Sequence, residues 1–196
     1  MWPSMSERKD RKIVLGLKTN RGNMKALIWT GSEAKVDHHR ARPRLRPAYL
    51  LVRVHAVALN PTDCKAISQG RAAVNGLLGC DFAGTVEEIG SQVNKLWKPG
   101  DRVFGCVHGA NFNEPEDGAF AEVIAVKGDT AMRIPYHVSF EEAATIGVST
   151  FTCGQGLFQK MGLDLPSQSD EEKKEYLLIY GGSTSSGALG IQLATL

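Results

Sequence analysis

Residues Gly79 to Val93 read GCDFAGTVEEIGSQV, and the reading of this stretch decides the fold. Its middle, Gly84 to Gly90, sets Thr85, Val86 and Ile89 between two glycines and reads as a strand bounded by turns. Working outward, AYLLVRVHAVALN, Ala48 to Asn60, is a long aliphatic and β-branched run, a strand buried on at least one side. MKALIWTG, Met24 to Gly31, alternates loosely and reads as a first strand. DRVFGCV, Asp101 to Val107, and GAFAEVIAVKGD, Gly118 to Asp129, are two more. Between them KPGD, Lys98 to Asp101, places proline at i+1 and glycine at i+2, the preference of a type II turn. Short strands separated by Gly/Pro turns predict a compact all-β, barrel-like domain.

The pattern changes after Pro135. In SFEEAATIG, Ser139 stands where it would cap a helix, with Glu141 and Glu142 in the first turn, where the helix dipole favours acids. STFTCGQGLFQKMG continues in a helical rhythm, and LPSQSDEEKKE, Leu165 to Glu175, is a polar, exposed connector. YLLIYGGSTSSGALGIQLATL then reads as buried strand, glycine-rich turn and helix start. Such a unit opens a dinucleotide-binding fold, because unpaired N–H groups and the positive end of a helix attract a pyrophosphate. Gly181, Thr184 and Gly187 stand where Gly-x-x-Gly-x-x-Gly would place its glycines, and Thr184, Ser185 and Ser186 add hydroxyl donors. A Gly/Ser turn between strand and helix is also an ordinary structural connection.

The chain has 196 residues, room for one domain and part of another, and its 42% apolar content suffices for a packed core. A net charge of +2 argues against nucleic acid as a partner, since neutralising phosphates needs a concentrated basic face. Cys64, Cys80, Cys106 and Cys153 form no C-x-x-C pair, which fits a reducing, cytoplasmic setting. In residues 1–23 the one apolar run, Ile13 to Leu17, is too short for a signal-peptide core or a membrane span. Its basic residues alternate with acids, so the segment reads as a disordered basic arm; a transit sequence is the other reading.

Taken in order, MKALIWTG, VALNPTDCK, GCDFAGTVEEIGSQV, KPGDRVFG, GAFAEVIAV, IPYHVSFEEAATIGVSTFTCGQGL and YGGSTSSGALGIQLA resemble the medium-chain dehydrogenase/reductase superfamily from Met24 to Leu196. The resemblance implies a GroES-like β-barrel catalytic domain over 24–150. A linking helix, the polar loop and the first βα unit of an incomplete Rossmann domain follow over 151–196. In zinc-holding members of that superfamily a Cys, a His and a second Cys bind the metal. Here those positions fall at Asn60, Cys80 and Val148. An amide and an aliphatic side chain cannot replace two thiolates around a tetrahedral zinc ion. Cys80 and Asp81 therefore read as a small buried thiol and a hydrogen-bonded carboxylate at the domain junction, not as ligands.

The remaining likeness is to the zinc-free branch of quinone and enoyl reductases. Within it, YGGSTSSG and TCGQGLFQKMGLDLP are most similar to fungal trans-acting enoyl reductases of polyketide biosynthesis. This implies NADPH as cofactor, with Thr62, Asp63, Cys64 and Lys65 facing its nicotinamide half and Thr184, Ser185, Ser186 and Gly187 its phosphates. Asp63 reads equally well as a turn-capping carboxylate. Thr152, Cys153, Gly154, Gln155, Gly156, Leu157, Phe158, Gln159 and Lys160 would line the acyl pocket, although some must simply pack a helix. His38, His39, His55, His108 and His137 match no catalytic position and read as surface or core residues.

The chemistry implied is hydride delivery from NADPH to the β-carbon of an enoyl thioester, small or bound to an acyl carrier, with a polyketide synthase as partner. Such an alkene is already electrophilic, so holding cofactor and substrate together carries much of the barrier reduction. The resulting enolate would be stabilised by N–H or O–H donors and protonated at the α-carbon. AISQGRAA contains no tyrosine to serve as proton donor, which leaves the donor unassigned. A doubly wound domain needs about six strands, and its ribose-binding residue stands ~20 residues past the glycine turn. The expectation is thus a C-terminally truncated chain, with Leu177, Leu178, Ile179, Leu189, Ile191 and Leu193 uncovered. Two alternatives stay open: a quinone oxidoreductase, and an inactive GroES-like remnant that acts as a binding module.

Overall fold

A computed structural model describes residues 22–165 and 176–195. Residues 1–21 of the expected arm and 166–175 of the polar connector lie outside the described residues. The strands are β1 (Asn23–Trp29), β2 (Ala34–Ala41), β3 (Tyr49–Ala58), β4 (Asp81–Ile89), β5 (Arg102–Cys106), β6 (Val123–Lys127) and β7 (Met132–Arg133). The α-helices are α1 (Pro61–Ser68), α2 (Phe140–Ala144), α3 (Gly147–Cys153) and α4 (Ser185–Leu193), and α3 runs on as a π-helix over Gly154–Lys160.

Five strands form one antiparallel sheet in the order β6-β3-β4-β5-β7, while β1 and β2 form a separate hairpin. The expected barrel is not closed. β1 packs Met24, Ala26 and Ile28 into the buried clusters, but its pairing beyond β2 consists of isolated bridges, Ala26 to Ala121 and Ile28 to Leu77, so among the described residues no continuous ladder joins the two sheets. β7 is two residues long and cannot carry the sheet further round. The architecture is nonetheless mixed α/β, with the strand-rich part first.

The expected strand over Tyr176–Tyr180 is also corrected. No strand forms there, and Leu178 and Tyr180 stand 92% and 101% exposed. A parallel strand is stable only with neighbours on both faces, and among the described residues none pairs with this segment. Three elements lie outside the sequence reading: β2, the two-residue β7, and α1. β2, AKVDHHRA, is mostly exposed and carries one branched aliphatic, so it offers little strand signal. α1 starts at Asn60-Pro61, where an extended N-cap precedes a proline whose missing N–H would have no intrahelical partner in any case.

β4 is central, and its two faces explain the site. Phe82 and Val86 point into the main core with Leu50, Val52, Val103 and Ile124. Ala83 packs on the other face with Phe104, Ile134, Ala143 and Ala144, under α2. With both faces covered, Asp81 at the start of β4 is only 1% exposed, a charged side chain inside the protein. Ser139 caps α2 as expected: its Oγ accepts from the Glu142 N–H at 3.1 Å, and Glu142 Oε2 accepts from the Ser139 N–H at 2.8 Å. The Lys98–Asp101 turn closes with an Asp101 N–H to Lys98 carbonyl bond of 3.0 Å, with Gly100 at φ +93° as type II requires.

Candidate active site

The buried Asp81 carboxylate joins three segments. Asp81 Oδ2 accepts from Asn60 Nδ2 at 2.9 Å, and Oδ1 accepts from the Val148 N–H at 2.6 Å. Asn60 is the N-cap of α1, and Val148 lies in the first turn of α3. These are two of the three positions at which the zinc-holding pattern would place ligands; the third, Cys80, precedes Asp81 in the chain. The carboxylate is hydrogen-bonded, as the sequence suggested. Burial pushes the Asp81 carboxyl above its ordinary range, while the Asn60 and Val148 bonds pull in the opposite direction.

Asp63 shows the capping role that its residue type allowed. Its Oδ2 accepts from the Asn60 N–H at 2.8 Å, and its own N–H donates to the Asn60 carbonyl at 3.0 Å. Its Oδ1 is buried without a hydrogen-bond partner among the described residues. Thr62 and Asp63 line a cavity of about 330 Å³ together with Arg71, Cys80, His108 and Phe112. Cys64 and Lys65, one step further along α1, are exposed and do not line it.

A second cavity of about 740 Å³ has Cys80, Cys106, His108, Asn111, Phe151 and Gln155 among its walls. The two spaces share Cys80 and His108. This follows from the strand register: the Val107 N–H donates to the Cys80 carbonyl at 2.9 Å and extends the β4–β5 ladder by one pair. His108, the next residue, is thereby delivered beside Gly79 and Cys80. Burial, with the nearby Asp63 and Asp81 charges adding to it, pushes the Cys80 thiol up to about 12. Burial likewise raises Cys106 to about 11, so both line the space as neutral thiols.

Of the nine residues expected to form an acyl pocket, Gln155 lines this second cavity. Cys153 and Leu157 are buried, and Cys153 Sγ–H donates to the Ser186 carbonyl at 3.1 Å. Thr152 Oγ1 bonds back to the Val148 carbonyl at 2.8 Å. Gly154, Gly156 and Phe158 are half-buried, and Gln159 and Lys160 face outward. Phe151, one residue before the expected window, also lines the second cavity, and so does His108, whose sequence context marks it as no more than a surface or core residue. The only available signal for His108 was its place just past a strand that pairs with β4.

The glycine turn is docked on α3. Ser185 Oγ lies 2.6 Å from Ser149 Oγ, and Ser149 is buried. Thr184 Oγ1 caps α4 by accepting from the Gly187 N–H at 3.1 Å and donates to the Gly181 carbonyl at 2.8 Å. Gly187 has no room for a side chain, since an added Cβ would lie 2.2 Å from the Gly181 carbonyl oxygen. Ser186, the residue after Ser185, is half-buried. The hydroxyls of Thr184 and Ser185 are already engaged within the protein.

A third hollow, about 440 Å³, lies between the hairpin and β3 and includes Leu27, Val36, Val57 and Phe120. It holds none of the residues expected to bind cofactor or substrate, although His55 is among its walls. Among the described residues no group of three or more His, Cys, Asp or Glu is placed to hold a metal ion, and no helix is long and apolar enough to cross a membrane.

With this geometry in place, comparison with known proteins defines the class. Residues 46–136 match the alcohol dehydrogenase GroES-like domain. The chain belongs to the medium-chain dehydrogenase/reductase superfamily. Within it, the chain is 50% identical over 184 residues to the trans-enoyl reductase resD of Aspergillus sclerotiorum, covering 88% of this chain and 51% of that protein. It is 52% identical over 166 residues to the trans-enoyl reductase TOXD of Cochliobolus carbonum, covering 81% and 55% respectively. The quinone oxidoreductase of Coxiella burnetii superposes with a TM-score of 0.64 at 29% identity, covering 88% of this chain and 53% of that one. The chain thus spans about half the length of the curated relatives it matches.

Proposed function

We propose that this chain carries the substrate-facing half of an NADPH-dependent, zinc-independent enoyl reductase. Its substrate class is the enoyl thioester, small or borne on an acyl carrier, and its setting is polyketide biosynthesis beside a polyketide synthase. One observation carries the reading: the two cavities that meet at Cys80 and His108 are walled by α1 on one side and by α3 and the following π-helix on the other. The similarity to two trans-enoyl reductases, resD and TOXD, supports it.

The residues have distinct tasks. Thr62 and Asp63 hold the nicotinamide side, and Ser186 with the N-terminal amides of α4 holds the phosphates. Bound NADPH supplies the hydride for the electrophilic β-carbon. Phe151 and Gln155 position the acyl chain, and the half-buried Cys80 and Cys106 exclude water from the space between. Neutral thiols suit that role, because a thiolate would itself add to a conjugated alkene.

The reading is tested by following NADPH loss with an enoyl thioester of N-acetylcysteamine and, separately, with a quinone. Turnover of the thioester supports it. Turnover of the quinone alone favours a quinone oxidoreductase, the reading suggested by the Coxiella burnetii structure. Absence of cofactor binding at millimolar NADPH rules out activity for this chain and favours a binding module.

A further inference from the structure

We propose that Asp81 is a positioning residue, a buried carboxylate that holds α1 and α3 at a fixed spacing and so sets the width of the cleft between them. The inference rests on the reading of that cleft as the substrate site.

The geometry has three parts. First, Asp81 is fully enclosed, and each of its oxygens receives a separate donor: Val148 N–H at 2.6 Å and Asn60 Nδ2 at 2.9 Å. The two donors belong to different helices and stand 88 residues apart in sequence, so the carboxylate is a cross-link and not a local cap. Second, Asn60 passes the constraint on. Its own N–H donates to Asp63 Oδ2, which fixes the orientation of a cavity-lining side chain. Third, α3 approaches as closely as backbone allows. An added Cβ on Gly147 would lie 2.4 Å from Asp81 Oδ1 and 2.4 Å from the Gly105 carbonyl oxygen. One and two turns along, the same helical run presents Phe151 and Gln155 to the second cavity.

A buried carboxylate costs more than a buried apolar group of the same size, so its role lies in specifying an arrangement. Only an acceptor on both oxygens suits two facing donors. An amide cannot replace it with the Asn60 amide held as it is, because its NH₂ would oppose either the Val148 N–H or the Asn60 NH₂. The exchange of both residues can: Asn at 81 would accept from Val148 and donate to Asp at 60.

The test compares Asp81→Asn, Asn60→Ala and the exchanged pair Asn60→Asp with Asp81→Asn. The readouts are the Val148 amide resonance and the dissociation constant for an enoyl thioester of N-acetylcysteamine. In Asp81→Asn the Val148 amide moves upfield, the melting temperature falls by roughly 5 °C, and affinity drops about tenfold. Asn60→Ala keeps the carboxylate and moves the same resonance less. The exchanged pair recovers most of the affinity and the amide shift. An unmoved Val148 resonance in both single variants, or an exchanged pair no better than Asp81→Asn, overturns the proposal. If the unaltered chain binds no thioester, the functional reading falls, while the Val148 resonance and its recovery in the exchanged pair still decide the cross-link.

Discussion

Ser149 Oγ and Ser185 Oγ lie 2.6 Å apart, and with the Cys153 Sγ–H to Ser186 carbonyl bond of 3.1 Å this contact fastens the start of α4 to α3. Ser149 is buried, so its hydroxyl has no water to fall back on. Ser149→Ala leaves Ser185 without its partner and should cost about 1 kcal/mol. Amide hydrogen exchange over 185–193 should quicken while β4 and β5 stay protected. Unchanged exchange in α4 would mean that the turn is held by something else.

Gly147 should tolerate no side chain. Gly147→Ala would press a methyl group against Asp81 Oδ1 and the Gly105 carbonyl, both backed by packed strands. The expected loss is about 3 kcal/mol, against about 1 kcal/mol for Ser139→Ala, which removes only a helix cap. Denaturant melts of the two variants side by side check the ranking.

Thiol reactivity should follow exposure. Cys64 is exposed, whereas Cys80 is pushed up to about 12 and Cys106 to about 11. With iodoacetamide at pH 8, Cys64 should be modified first, and Cys80 and Cys106 should react at least tenfold more slowly. Peptide mass spectrometry reads the order. Faster alkylation of Cys80 would show that its thiol is activated and not suppressed.

The pH dependence of Asp81 has a definite sign. Burial raises its carboxyl, so between the ordinary aspartate value of about 3.9 and its raised native value the folded state keeps a proton that the unfolded chain releases. This contribution to stability is present at low pH and is lost as pH rises through that window. Asp101 is lowered, with hydrogen bonds from Lys98 and Arg133 outweighing its burial; Asp129 and Glu142 are lowered chiefly by hydrogen bonds from Asn94 and Ser139. They act the other way, stabilising above their unfolded values and losing that effect as pH falls. In a comparison of the unaltered chain with Asp81→Asn these opposing groups cancel. The deficit in melting temperature of Asp81→Asn should therefore be larger at pH 4 than at pH 7. A deficit that grows with pH would contradict the burial argument.

The strands β3, β4, β5 and β6 were legible because each carries an aliphatic run between glycine or proline turns. Closure was not, since it depends on whether β1 finds a continuous partner, which no local pattern records. Tyr176–Tyr180 misled because Leu177, Leu178 and Ile179 are read by composition, while burial depends on neighbours in space. Asn60-Pro61 does contain a helix-start signal, an N-cap asparagine before a proline. Asp63, Cys80, Asp81 and Gln155 were singled out from motifs. His108 and Phe151 join them only through the β4–β5 register and the run of α3, which exist after folding and not before.

The central claim is that substrate enters the space shared by Cys80 and His108. The most direct measurement is a two-dimensional NMR titration of the chain with an enoyl thioester of N-acetylcysteamine. The account predicts saturable shifts at the amides of Asp63, Cys80, His108 and Gln155. Shifts confined to Leu27, Val36 and Val57, at the other hollow, or no shifts at all, would contradict it.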